Sequence, residues 1–562
     1  MDKNKLIASL IDIEGVSEEE IASLLTAPKD IAFADVALPC FRFAKTLRKS
    51  PVQIAEELSA KISTDLPPYL LSCTALNGYL NFKFSRENMA KDTLLKVLQE
   101  KEHYGESDLG KGKTICIDFS SVNIAKPFHI GHLSSTVIGG ALSRIFTTLG
   151  YNVVRINHLG DWGTQFGKMI VAYKKWGNDV DVEKGGVKAL HKLYVRFHQE
   201  AENDESLNDL GRHYFKLIED GDKEALALFE KFKNISLKEA KRVYDRLGIE
   251  FDSYAGESFY NDKMQPVLDH LEDKGLLVES DGAKIVEVGE GMPPCLLVRS
   301  DGATLYATRD LAAAYYRKKT YDFYKCLYVV AYQQNLHFKQ LFKVLELLGE
   351  PWAKDLEHVN FGMVSLVDGT MSSRQGKVVY LEDVLNSAVE KARSIIEEKN
   401  PDLDNKDEIA EQVGVGAVIF GALINNRIKD ITFSYDKVLN FDGETCPYVQ
   451  YTHARCASLI EKAGGFDVSK ADFSSLENAH EIISAIASYG DMIRSAADKR
   501  EPSVITRHAV DIAELFNKYY IDNRILNAEE GVKNARLALT FAVKQVLSNA
   551  LTLLGISVPN KM

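Results

Sequence analysis

Apolar positions change period several times along the chain, and each change marks a new element. Positions 5–11, 18–25 and 54–62 repeat at helical spacing, and 78–84 (GYLNFKF) alternates as a half-buried strand does. Residues 1–110 therefore predict a small α+β unit. The run 105–113, rich in glycine and charge, reads as a linker. A strand is predicted at 114–119. A helix follows, with Leu133, Val137, Ile138, Leu142, Ile145, Phe146 and Leu149 on one face, and then a strand at 152–156. Strand, helix and strand within about 45 residues make a βαβ unit, which implies a parallel sheet. Charged amphipathic helices are expected over 175–250. Strands at 327–331 and 359–366 restore the α/β pattern, and from about residue 383 the chain reads as almost wholly helical.

The chain has 562 residues, too many for one hydrophobic core, and three or four units are expected at roughly 100–200 residues each. With 45% apolar and 26% charged residues, a mostly disordered chain is excluded. The longest nearly apolar stretch, 413–425, falls short of the ~20 residues a spanning helix needs. The opening MDKNKLIASLIDIEG has no unbroken apolar stretch of the kind a secretory signal carries. A cytoplasmic protein with no membrane partner is expected. Seven scattered cysteines with no CxxC pair argue for reduced buried thiols and against a structural metal. A net charge of −12 excludes the chain as a whole from being a nucleic-acid glue, but residues 445–562 hold 13 basic and 13 acidic side chains. That neutral stretch permits a polyanionic partner.

Two glycine patterns carry no nucleotide. GESDLGK at 105–111 is followed by Gly112 where a phosphate-binding loop needs Ser or Thr, and it precedes a strand instead of following one. Gly414-Val-Gly416 lacks the third glycine of a dinucleotide fingerprint, since Ile419 stands there, and close helix packing explains it better.

The informative stretch is SSVNIAKPFHIGH, residues 120–132, in the turn between the first core strand and its helix. Ligands of open α/β sheets bind at the carboxyl ends of strands, where a helix N-terminus favours phosphate. His129 and His132 can donate to phosphate oxygens, Gly131 lets a flat base approach the backbone, and Lys126 adds positive charge. Two histidines that cap or pack the helix start are the plainer alternative. A metal site is another, but it lacks an evident third ligand. The position between strand and helix favours nucleotide binding.

This stretch resembles the class I aminoacyl-tRNA synthetases, whose signature is His-Ile-Gly-His at this topological position, and within them the arginyl-tRNA synthetases. The likeness continues through HLGDWGTQFG (158–167), YAGES (254–258), TLYATRD (304–310), QQNLH (333–337) and PYVQYTHAR (447–455). It implies a Rossmann-like parallel-sheet catalytic core with a small α+β N-terminal domain and an all-helical C-terminal anticodon-binding bundle. The units would be 1–110, touching the tRNA D-loop; 111–382, the catalytic domain with the insertion at 175–250; 383–440, a connecting and stem-contact region; and 441–562, the anticodon-binding domain.

The resemblance implies an arginine–tRNA ligase working through arginyl-adenylate, with ATP, L-arginine and tRNA(Arg) as partners, Mg²⁺ on the phosphates, and a monomeric chain. Arginine activation would require bound tRNA. His129, Gly131 and His132 would bind ATP, Ser121 and Asn123 would hold the amino-acid backbone, and Asp118 would support the amino group. Glu257, Tyr306 and Asp310, with Gln334 nearby, would receive the guanidinium, a rigid fork of donors that needs planar acceptors. Taken singly, Glu257 or Asp310 would read as an ordinary surface acid. The second class I signature, Lys-Met-Ser-Lys-Ser, is altered to Thr370-Met371-Ser372-Ser373-Arg374, with Lys377 beyond. Met371, Ser372, Arg374 and Lys377 remain ATP candidates, and Lys126 ranks first to replace the missing lysines.

Tyr448, Tyr451 and Arg455 share a helix face suited to unstacked bases, although spacing alone would fit an aromatic core stripe. The likeness adds Tyr79, Asn81 and Met562 as tRNA contacts. Two competing readings stay open: another nucleotidyl transferase with the same histidine motif, and an inactive tRNA-binding paralogue. Their marks would be a single compact domain and the altered second signature, respectively.

Overall fold

The computed structural model describes residues 3–28, 34–124, 126–289, 291–366 and 379–562. An antiparallel sheet comes first: β1 (Val36–Pro39), β2 (Leu70–Leu76) and β3 (Tyr79–Phe84), in spatial order β1-β3-β2. The expected strand at 78–84 starts one residue later. Asn77 and Gly78 both have positive φ (50° and 79°) and form the two-residue turn that joins β2 to β3. Helix Pro51–Thr64 covers this sheet. Its first turn is closed by Ser50, whose Oγ accepts the Gln53 N–H at 3.2 Å, and it buries Ile54, Ala55, Leu58 and Ile62.

The second sheet is wholly parallel. Strands β4 (Thr114–Asp118) and β5 (Asn152–Ile156) flank helix Leu133–Thr148, as the βαβ pattern requires. After the insertion helices, β6 (Leu277–Ser280), β7 (Ala283–Val286) and β8 (Cys295–Val298) form a separate antiparallel sheet. Helix Tyr306–Tyr321 then leads into β9 (Lys325–Tyr328), and helix Asn335–Leu347 into β10 (Leu356–His358). The parallel strands order as β10-β9-β4-β5, which places the ends of β4 and β9 side by side at the centre.

Several expected elements shift. The strand at 327–331 begins and ends earlier, as β9. Of the strand expected at 359–366 only its end, β11 (Val364–Leu366), forms, since β10 stops at His358 and a loop around 426–430 captures the chain between them. Gly362 donates to Arg427 O at 2.8 Å, and a Cβ there would lie 2.3 Å from Lys429 O. Strand β12 (Ile431–Phe433) pairs parallel to β11 inside a stretch expected to be helix. The insertion begins with helix Thr164–Trp176, ahead of residue 175, and continues through Val182–Ala201, Ser206–Glu219 and Lys223–Leu247.

The C-terminal bundle comprises Cys446–Ala463, His480–Ala487, Tyr489–Lys499, Ser503–Asp522 and Glu530–Leu553. Helix Arg86–Glu100 packs on these helices, burying Ala90, Leu94 and Val97 in the core they share with the parallel-sheet unit. The residue just before the expected linker continues that seam. Tyr104 stacks on Tyr489 with ring centroids 6.2 Å apart, and its hydroxyl donates to Ile486 O at 3.0 Å. The seven cysteines are all buried and free. Gly414 allows close helix contact, since a Cβ there would lie 2.7 Å from the Val389 backbone.

Candidate active site

The chain leaves β4 through two serines in left-handed conformation, Ser120 (φ 68°) and Ser121 (φ 45°), a costly arrangement for residues with a Cβ. Hydrogen bonds compensate. Ser120 N–H donates to Ser135 Oγ at 2.9 Å, and its hydroxyl bonds Thr136 Oγ1 (2.8 Å) and Tyr244 OH (2.9 Å). Ser121 Oγ donates to Asp118 Oδ1 at 2.8 Å. The loop then pairs with the segment after β5: Asn123 bridges Gly160, where a Cβ would lie 2.3 Å from Asn123 Oδ1.

His129 and His132 open the helix, with ring centroids 4.0 Å apart. Gly131 N–H donates to His129 Nδ1 at 3.1 Å, and His129 N–H donates to His132 Nδ1 at 3.2 Å. Both Nδ1 atoms are therefore acceptors, so each neutral ring carries its proton on Nε2. Burial, with Lys126 also nearby, holds the pKa of His129 down at about 4. Burial and the neighbouring His129 take His132 to about 3. At pH 7 the pair offers two uncharged Nε2–H donors.

A second group of polar side chains centres on two interacting carboxyls, Glu257 and Asp310. Glu257 opens the turn Glu257–Lys263, anchored by its N–H donating to Leu159 O at 2.9 Å. Its Oε2 is buried without a hydrogen-bond partner. Burial pushes its pKa up to about 8; Arg309 opposes the rise, while Asp310 and Asp161 add to it. Asp310, on helix Tyr306–Tyr321, accepts from His337 Nε2 at 2.7 Å and has His158 Nε2 at 3.7 Å. Burial raises its pKa, but the His337 hydrogen bond and the charges of His158, His337 and Arg317 outweigh burial and leave it lowered. Two neighbouring carboxyls are thus driven apart, one ionised and one protonated. Tyr306 begins the same helix and stays largely exposed.

Asp118 is buried, and its Oδ2 accepts from Arg317 Nη2 at 2.7 Å. Each oxygen thus already holds one donor. Gln334 is exposed in the turn Tyr332–Gln334, just before helix Asn335–Leu347. Met371, Ser372, Arg374 and Lys377 lie outside the described residues.

The tRNA candidates divide by exposure. Tyr79 is exposed beside Phe41, with centroids 5.3 Å apart, whereas Asn81 is buried and donates to Thr74 O and Tyr79 O. Tyr451 is exposed and Tyr448 half-buried on helix Cys446–Ala463. Arg455 lies between two rings, 4.8 Å from Tyr451 and 5.3 Å from Tyr520, and donates to Asn517 Oδ1 at 2.7 Å. Met562 O accepts from Asn400 Nδ2 at 3.3 Å. Sequence reading did not single out Phe41, Tyr520 or Arg317, and Asp161 stood only within the motif at 158–167. His158 and His337 figured only within longer motifs.

A parallel sheet with His-Ile-Gly-His at the head of its first crossover helix, joined to a helical bundle, defines a class I aminoacyl-tRNA synthetase. Family models give the particular branch. Residues 93–435 match "tRNA synthetases class I (R), catalytic domain", 449–562 match "DALR anticodon binding domain", and 3–84 match "Arginyl tRNA synthetase N terminal domain". The arginine–tRNA ligase of Clostridioides difficile (strain 630) is 54% identical over 553 residues, covering 98% of this chain and 97% of its own. That of Halothermothrix orenii (strain H 168) is 51% identical over 565 residues, covering 100% and 99%. The structure of Thermus thermophilus arginyl-tRNA synthetase aligns with a TM-score of 0.80 at 26% identity, covering 96% of each chain. The chain belongs to the arginyl-tRNA synthetase family.

Proposed function

We propose that this chain is an arginine–tRNA ligase. The α-carboxylate of L-arginine attacks the α-phosphorus of ATP, pyrophosphate leaves, and arginyl-adenylate forms. A hydroxyl of the 3′-terminal ribose of tRNA(Arg) then attacks the arginyl carbonyl and releases AMP. The supporting observation is the unpartnered, buried Oε2 of Glu257 beside an ionised Asp310. A planar cation with several N–H donors satisfies both, whereas an ammonium lacks the fork.

The protein's work is positioning and charge stabilisation. In this reading the Nε2–H groups of His129 and His132 donate to phosphate oxygens, and Gly131 leaves room for adenine. Lys126 supplies the cation absent from the altered second signature, with Met371, Ser372, Arg374 and Lys377 as further ATP contacts. Ser121 and Asn123 hold the amino-acid backbone, with Asp118 orienting Ser121. Tyr306 walls the side-chain pocket and Gln334 closes it. Mg²⁺ is proposed to arrive on the phosphates of ATP. Tyr79 and Asn81 toward the D-loop, and Tyr448, Tyr451, Arg455 and Met562 toward the anticodon, complete the proposal, with Asn81 acting through the sheet backbone it bonds. The units are those of the sequence reading, and a cytoplasmic monomer is part of the same proposal.

ATP–pyrophosphate exchange with each of the twenty amino acids, with and without tRNA, tests it. Exchange with arginine, appearing only when tRNA is added, is expected. Exchange driven by another amino acid would overturn the substrate. Silence in every condition from folded protein would overturn catalysis.

A further inference from the structure

Both carboxyls of the guanidinium pocket rest on one short segment, residues 158–161. His158 Nε2 lies 3.7 Å from Asp310 Oδ1, and Leu159 O accepts the Glu257 N–H at 2.9 Å. Asp161 takes the residue after Glu257: Oδ1 accepts the Ser258 N–H at 2.8 Å, and Oδ2 accepts its hydroxyl at 2.7 Å. The fit leaves no slack, since a Cβ on Gly256 would lie 2.6 Å from Leu159 O and 2.7 Å from Asp161 Oδ1.

The Asp161 side chain has no solvent exposure at all. A carboxylate so buried needs a cation or enough donors to remain where it is. Its cation comes from outside the sheet. Lys233, on insertion helix Lys223–Leu247, places Nζ 2.7 Å from Asp161 Oδ2, with its own side chain mostly covered. We propose that Lys233 is a positioning residue for the arginine pocket: by neutralising Asp161 it fixes Ser258, and through Ser258 it fixes Glu257. The inference rests on the function proposed above. It makes the insertion part of substrate recognition, with no contact to substrate.

Without Lys233, the buried Asp161 carboxylate lacks its cation and must draw in water, which loosens its hold on Ser258. A bare Asp161 charge would also act on Glu257, which faces Arg309, Asp310, Asp161 and Tyr306, and would make its ionisation harder. The readouts are therefore specific to arginine and to pH.

Lys233→Met and Lys233→Arg in the full chain, assayed by tRNA charging, make the test. Lys233→Met is expected to raise KM for arginine about tenfold or more while KM for ATP stays within about twofold, because only one pocket is displaced. The acid limb of kcat/KM for arginine should move to higher pH, and Lys233→Arg should restore most of both effects. An unchanged arginine KM and acid limb, whatever the melting temperature does, would overturn the proposal. So would a joint rise in both KM values, which is the mark of a merely structural role. Should Lys233→Met fail to fold, Ser258→Ala, which deletes one hydroxyl bond, must raise the arginine KM alone, and no change would sink the idea. A wild-type chain that charges no arginine overturns the function and the inference together; normal wild-type charging beside an indifferent variant overturns the inference alone.

Discussion

At pH 7 a carboxyl whose pKa is pushed up to about 8, as that of Glu257 is, keeps its proton until a cation arrives. Binding arginine should then expel that proton. Calorimetry in buffers of different ionisation enthalpy should register about one proton released near pH 7, falling toward none near pH 9. Glu257→Gln should abolish the release. The same shift acts on stability in the unliganded chain: the contribution of Glu257 is full below its ordinary pKa of 4.5 and is lost as pH rises through about 8. The two signature histidines run the other way. With pKa values held down at about 4 and about 3, their contribution is full above the ordinary 6.5 and is lost as pH falls through those values. His132→Ala, which removes one preorganised donor, should lower kcat about 10²–10³-fold while KM for arginine changes little, as steady-state charging would show. Residues 120–132 were readable in sequence because their chemistry is local. Arg317, which holds Asp118 from 199 positions away, was not, because no period marks a partner that only the fold supplies.

Elements with a strong period were legible, and short ones were not. Helix Leu133–Thr148 and strand β4 are buried almost throughout, and β5 follows the helix within a few residues, so apolar content and chain order located them. Strands β6, β7 and β8 span four residues apiece, too few for alternation to stand out from a loop. Strand β12 exists because β11 offers an edge 67 positions upstream, to which its three residues pair; its surroundings otherwise favour helix. The glycines of helix Lys406–Leu423 were readable as packing glycines, and the contact of Gly414 with the Val389 backbone gives that a magnitude. Gly414→Val should push apart helices Leu381–Lys399 and Lys406–Leu423 and cost about 1–3 kcal/mol in urea unfolding, the range for overpacking a close contact.

On the scale of the whole molecule, the three-part order was legible from where periodicity changes, but the joins were not. The N-terminal sheet has its own hydrophobic core, from Ile7 to Phe84. The catalytic domain and the bundle share another, which includes helix Arg86–Glu100. A partner as long as tRNA would meet widely separated parts of the chain, so lesions far from the pocket should read out on tRNA alone. Arg455→Ala, which empties the space between the Tyr451 and Tyr520 rings, should raise KM for tRNA several-fold, because stacked base contacts carry about 1–3 kcal/mol each. KM for ATP and arginine should stay unchanged in the same assay. The seam formed by helix Arg86–Glu100 also has a consequence in time. Asn549 Nδ2 closes it by donating to Lys101 O, 448 positions earlier. At about 5–20 residues per second, ribosomal synthesis makes the early helix wait roughly 20–90 s for its partner. Until the bundle helices are made, Ala90, Leu94 and Val97 lack that cover, and a nascent chain of this kind is a natural client for a chaperone at the ribosome.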